Sequence, residues 1–185
     1  MTSTPSLPGC RFPTPTRIAW SSGSDPGRTP DRSAGFGCGI VIRPATLADA
    51  GRLAALSREL GYPVAADEMA GRLADLLARD GDIVLVAEPE PGRVVGWVHG
   101  SEQRLLESAR RCELLGLVVD ARMRGQGVGR RLVTAVEAWA SARGLEQMAV
   151  RSNVSRTESH PFYEHLGYTR VKTQHAYRKR LGPSA

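Results

Sequence analysis

The segment with the most evident chemistry is Leu117-Val118-Val119-Asp120-Ala121-Arg122-Met123-Arg124-Gly125-Gln126-Gly127-Val128-Gly129. An apolar strand runs into a basic, glycine-rich turn, and an amphipathic helix begins at once. Glycines let successive main-chain N–H groups converge without a Cβ in the way. The first turn of the helix adds N–H donors that have no acceptor of their own, and the positive end of the helix dipole. Together these features describe a cradle for a diphosphate, with Arg124 and Arg130 supplying charge. Two familiar phosphate loops do not fit. A P-loop closes on Gly-Lys-Ser/Thr, whereas Gly129 is followed by Arg130-Arg131. A dinucleotide fingerprint needs G-x-G-x-x-G, and the spacing here is G-x-G-x-G. Gly35-Phe36-Gly37-Cys38-Gly39 repeats that spacing but precedes a strand, so no ligand is assigned to it.

Other reactive side chains form no such pattern. His99, His160, His165 and His175 lack metal-ligand spacing, so no metal site is expected. Cys10, Cys38 and Cys112 are odd in number and unpatterned; they read as reduced thiols, and no orienting group marks one as a nucleophile.

The elements that must carry the loop can be traced by periodicity. Residues 1–39 are rich in Pro, Ser, Thr and Gly without sustained period, which predicts a disordered tail. A domain over 40–183 follows. Ile40–Arg43 is a short strand, and Thr46 with Asp49 forms a capping box before a helix bearing Leu53, Leu56 and Leu60. A second helix is predicted over Ala66–Arg79, then a hairpin of Asp82–Glu88 with Arg93 to about Ser101. Cys112–Val119 is a strand, Gly127–Arg143 a helix, Gln147–Arg151 a strand, Ser155–Leu166 mostly helix, and Tyr168–Arg180 a final strand or strand pair. The order predicts a mixed α/β domain around a central sheet.

With 185 residues and a hydrophobic share of 41%, one core is affordable. No run approaches the ~18 apolar residues of a membrane span, and no secretory leader is evident, so a cytoplasmic protein with no membrane partner is expected. The net charge of +6 suits an anionic cofactor as well as a polyanion. A nucleic-acid binder ranks low, since no helix-turn-helix or aromatic-basic platform is present.

Arg124-Gly125-Gln126-Gly127-Val128-Gly129 matches the R/Q-x-x-G-x-G/A acetyl-CoA motif, and Phe162-Tyr163-Glu164-His165-Leu166-Gly167-Tyr168 resembles an "FYekLGF" segment. With Ile42-Arg43-Pro44-Ala45 as an opening strand, the stretch from Ile40 to Arg180 resembles the GCN5-related N-acetyltransferase (GNAT) family. The resemblance implies a central mixed sheet flanked by helices and acetyl-CoA as cosubstrate. It places Leu117, Val118 and Val119 along pantetheine, the loop from Arg124 to Gly129 with Arg130 on the diphosphate, and Asn153 among the cofactor contacts. Arg151-Ser152-Asn153-Val154 also looks like members acting on small amines, such as aminoalkylphosphonate and aminoglycoside acetyltransferases.

The same resemblance puts Tyr163 near the sulfur as general acid, with the oxyanion on the N–H of Val118 or Val119. Glu113 is the candidate base. It lies at a spacing similar to the family's glutamate and, without a bulge, shares a face with Leu115, Leu117 and Val119. Ala121 stands where the family often has proline, and Pro161 departs from its helix pattern. A small-amine N-acetyltransferase is thus the expectation, with a protein lysine or N-terminal acetyltransferase and a silent acetyl-CoA sensor as alternatives. A homodimer is left open.

Overall fold

A computed structural model describes residues 39–181. The tail expected over residues 1–39, with Cys10 and Cys38, lies outside the described residues apart from Gly39. Five strands form one sheet in the order β1-β2-β3-β4-β5: β1 Val41–Pro44, β2 Asp82–Glu88, β3 Gly96–Gln103, β4 Arg111–Val119 and β5 Met148–Val150. Neighbours run antiparallel as far as β4, and only β4 and β5 run parallel. A parallel pair needs a crossover. Here it is the helix α3, Val128–Ala142, which starts from the glycine loop.

α3 covers one face of the sheet. Leu132, Val133, Val136 and Ala140 are buried there with Val98, Cys112 and Leu114. Two helices, α1 (Ala50–Glu59) and α2 (Ala66–Leu77), cover the other, meeting Val84, Val86 and Val118 through Leu53, Leu56 and Leu73. The predicted capping box is present as a 3-10 turn ahead of α1. Asp49 accepts from the Thr46 N–H at 2.8 Å and from its hydroxyl at 3.0 Å, and Arg43 reaches the same carboxylate at 2.8 Å. A fourth helix, α4 (Ser159–His165), is shorter than expected. Pro161 falls in its first turn, where no intrahelical acceptor awaits its missing N–H.

Two expectations are corrected. Residues 168–181 carry no strand, and Val171 and Tyr177 are exposed. A strand needs a partner edge as well as suitable residue types, and this segment finds none among the described residues. The second correction concerns β4. His99 pairs with Gly116 and Gly100 with Leu114, so Leu115 is an unopposed bulge residue. Glu113 therefore does not share a face with Leu117 and Val119. Cys112, Leu114, Leu117 and Val119 pack toward α3, while Val118 packs toward α1 and α2.

Candidate active site

The bulge divides β4. Up to Leu114 it is paired on both sides, with Cys112, Glu113 and Leu114 opposite Met148, Ala149 and Val150. Beyond Leu114 only β3 remains a neighbour, and the edge facing the end of β5 is open. Main-chain direction alternates along a strand. The Asp120 N–H donates to Val95 O at 2.8 Å, on the β3 side. Alternation then turns Val118 toward β3 and the main chain of Leu117 and Val119 toward the opening. Unpaired donors and acceptors inside a sheet call for another partner.

A cleft of about 160 Å³ occupies this split, lined by Gly116, Leu117, Arg151, Asn153, Arg156 and Tyr163 among others. The glycine loop lies at the end of the same strand. Gly125 and Gly127 take φ of +75° and +78°, a region where a side chain is strained, and nothing stands within 4 Å of where either Cβ would be. Gly129 serves differently: a Cβ there would lie 3.2 Å from the Phe162 ring, so this glycine lets the starts of α3 and α4 approach. Bare main chain at a helix start with open space above it fits a diphosphate.

α1 fixes the loop's position, a role the sequence pattern did not reveal. Arg52 pairs with Asp120 at 2.5 Å and donates to Val94 O at 2.8 Å. Two turns on, Glu59 accepts from the Ala121 N–H at 3.2 Å and stands 3.6 Å from Arg124. Their seven-residue separation, which puts both on one helix face, was the available signal. Arg124 is partly committed, since its Nε also donates to Val119 O at 3.2 Å. Gln126 donates to Arg122 O. Arg130 is exposed beside the helix start.

Tyr163 is half-buried, edge-on to Phe162 and Tyr168 at 5.1 and 5.8 Å between centroids. Burial raises its phenol above the usual range, with nearby Arg156 pulling the other way. A phenol in that state holds its proton until a strong base appears. The Asn153 side-chain oxygen accepts from Ser155, which fixes the turn after β5.

Glu113 is buried, and its oxygens accept from Arg151 at 2.7 and 3.2 Å. It is not among the cleft-lining residues. His99, opposite Gly116 on β3, holds Asp82 at 3.0 Å through Nε2 and borders a second cavity that adjoins the cleft. Burial pushes the Cys112 thiol up to about 11, which leaves it protonated and inert as a nucleophile. No cluster of metal-ligating side chains occurs among the described residues, and no helix among them is long and apolar enough to cross a membrane.

Comparison with known proteins places this geometry. The model of the acetyltransferase (GNAT) family matches residues 52–168. Aminoglycoside N(6')-acetyltransferase type 1 of Stenotrophomonas maltophilia is 33% identical over 152 residues, covering 78% of this chain and 96% of that enzyme. N-alpha-acetyltransferase 80 of Mus musculus is 35% identical over 89 residues, 46% of this chain and 26% of the mouse protein. Among solved structures, the aminoglycoside N-acetyltransferase AAC(6')-Iy in complex with CoA superposes with a TM-score of 0.69 at 23% identity, covering 77% of this chain and 95% of the other.

Proposed function

This chain belongs to the acetyltransferase (GNAT) family, and from that premise we propose that it moves the acetyl group of acetyl-CoA onto the primary amine of a small molecule, by direct attack in a ternary complex. One observation carries the reading: the open edge of β4 runs from the bare glycine loop directly into a cleft walled by Tyr163. Solved relatives with CoA and with a CoA-linked acetylneamine analogue support the cosubstrate and the small amine.

In this mechanism the main chain of Leu117 and Val119 pairs with pantetheine, and the N–H groups from Gly125 to Gly129 hold the diphosphate, with Arg130 and Arg124 adding charge. Asn153 steadies the far wall. The amine nitrogen attacks the thioester carbonyl carbon. Leu117, which lines the cleft with Tyr163, offers its N–H to the oxyanion. The expectation named Val118 or Val119: the main chain of Val118 turns to β3, and Val119 lies at the loop end, where Arg124 Nε donates to its carbonyl at 3.2 Å. As the carbon–sulfur bond breaks, the Tyr163 hydroxyl gives its proton to the leaving thiolate.

The attacking ammonium must first lose a proton. The Arg151 pair occupies both oxygens of Glu113, which favours a positioning role for this residue: it holds Arg151 at the cleft wall. His99, oriented by Asp82 and bordering the second cavity opposite Gly116, is the alternative base, since no arginine occupies it. Incubating the full chain with acetyl-CoA and a panel of primary amines, with free thiol as the readout, tests the reading. Amine-dependent thiol release is expected. CoA uptake without such release for any amine would instead make the chain a silent sensor, and release only with peptides would make it a protein acetyltransferase.

A further inference from the structure

Acetyl transfer to a small amine leaves the acceptor unnamed, and any acceptor inferred for this chain rests on that proposed activity. A second cavity, of about 270 Å³, lies between α1, α2 and the sheet, with Leu53, Leu73, Leu76 and Val84 in its walls. It joins the cleft through Leu60, Tyr62, Leu115 and Gly116, which border both. Tyr62 and Leu115 are exposed apolar side chains at that junction, as the rim of an apolar site would have.

Three features of this space constrain its occupant. The first is Trp97, whose ring borders the cavity and whose Nε1 is buried with no hydrogen-bond partner among the described residues. That indole gives the cavity an aromatic wall, against which an aromatic occupant can pack. The second is Gly116. A Cβ there would stand 2.7 Å from two atoms of the Trp97 ring, so glycine is what allows the indole to sit over the strand at the junction.

The third is charge. Neither cavity has an Asp or Glu among its lining residues, whereas Arg151 and Arg156 line the cleft and Arg72 borders the second cavity. Nearby carboxylates are committed: Glu113 to Arg151, Glu68 to Arg72 and Asp82 to His99. Arg156 is the exception among the cations. It donates to Leu60 O at 2.7 Å and has no carboxylate partner among the described residues. A polycationic sugar would bring several ammonium groups against guanidinium and bare carbon, where like charges repel and none is neutralised.

We infer that the acceptor is an amine with an apolar or aromatic body that fills the α1–α2 cavity beside Trp97, and an anionic group that pairs with Arg156. The site is therefore tuned away from aminoglycosides despite the aminoglycoside-modifying relatives. Its amine would sit at the junction beside Gly116, within reach of the cleft, with the body directed into the hollow and the anion toward the segment after β5.

The test compares kcat/KM for phenylalanine and tyrosine with their carboxylate-free counterparts, phenethylamine and tyramine, and with glycine and neamine. At least one aromatic carboxylate is expected to exceed its counterpart, glycine and neamine by about tenfold or more. Arg156→Gln should lower that carboxylate's kcat/KM about tenfold more than its counterpart's, and Arg156→Lys should restore part of the difference. Met69→Trp, which places bulk in the cavity, should raise KM for the aromatic substrate while the acetyl-CoA Kd stays put. Neamine as the best acceptor, or an equal effect of Arg156→Gln on the charged and uncharged amines, would overturn the inference and leave the acetyltransferase reading standing. No thiol release with any amine would defeat that reading itself.

Discussion

On the α3 face of the sheet, Leu132, Val133 and Val136 are fully buried, and a Cβ on Gly100 would sit 2.5 Å from Val136 Cγ1. On the α1–α2 face, a space of about 270 Å³ remains beside Trp97, and a main-chain edge stands open at the cleft. Both faces are built from aliphatic side chains of similar size, so composition does not explain the difference. It comes from β4. Before the bulge at Leu115 the strand is locked between two neighbours; after it, one neighbour is gone and side chains change faces. One extra residue thus separates a half of β4 paired on both sides from a half with an open edge, which leads into the glycine loop.

The comparison breaks most visibly in the rate. Tyr163→Phe keeps the ring contacts and removes the proton, so kcat should fall about a hundredfold or more while acetyl-CoA affinity changes little. His99→Gln should lower kcat by about tenfold or more, whereas Glu113→Gln should disturb stability more than turnover, because it strips a partner from Arg151. A larger loss of kcat in Glu113→Gln than in His99→Gln would return the base to Glu113.

A second test contrasts packing. Gly100→Val forces bulk into the filled face and should cost about 1–3 kcal/mol, read as a lower Tm. Adding bulk on the hollow side, as in Met69→Trp, should cost less. Equal losses would show that the two faces are equally packed.

A smaller effect lies at the edge of the sheet. The Arg43 guanidinium, with help from Thr46, holds the Asp49 carboxylate down at about 2, below its ordinary 3.8. A carboxylate depressed by folding adds stability above its ordinary value and loses it as pH falls through the folded one. The difference amounts to roughly 2 kcal/mol. Asp49→Asn should therefore lower Tm near neutrality and flatten the decline between about pH 4 and pH 2. An unchanged acid profile would remove this pair from the stability account.

How much of this could be read from residues alone differs between the same two regions. The loop was legible because Gly125 and Gly127 are written as glycine for a conformational reason that does not depend on distant contacts. The hairpin, the long helix and the β4 strand were legible through period. The open half of β4 was not. A bulge changes pairing without changing residue types, so simple alternation puts Glu113 on the wrong face, and Arg151, its actual partner, comes from another strand's end. The role of Arg52 and Glu59 behind the loop was likewise hidden, because their partners lie some 60 residues away. At 168–180 the sequence suggested a final strand, but no strand among the described residues pairs with it.

The decisive measurement is calorimetric titration of CoA into the full chain and into Gly127→Val, with Tm recorded for both. Gly127 sits at φ +78° at the start of α3, so a branched side chain both strains the turn and covers its amides. The account predicts saturable uptake by the parent protein and at least about tenfold weaker binding by a variant that remains folded. Equal affinity in the two proteins, or no heat of CoA binding in either, would contradict it.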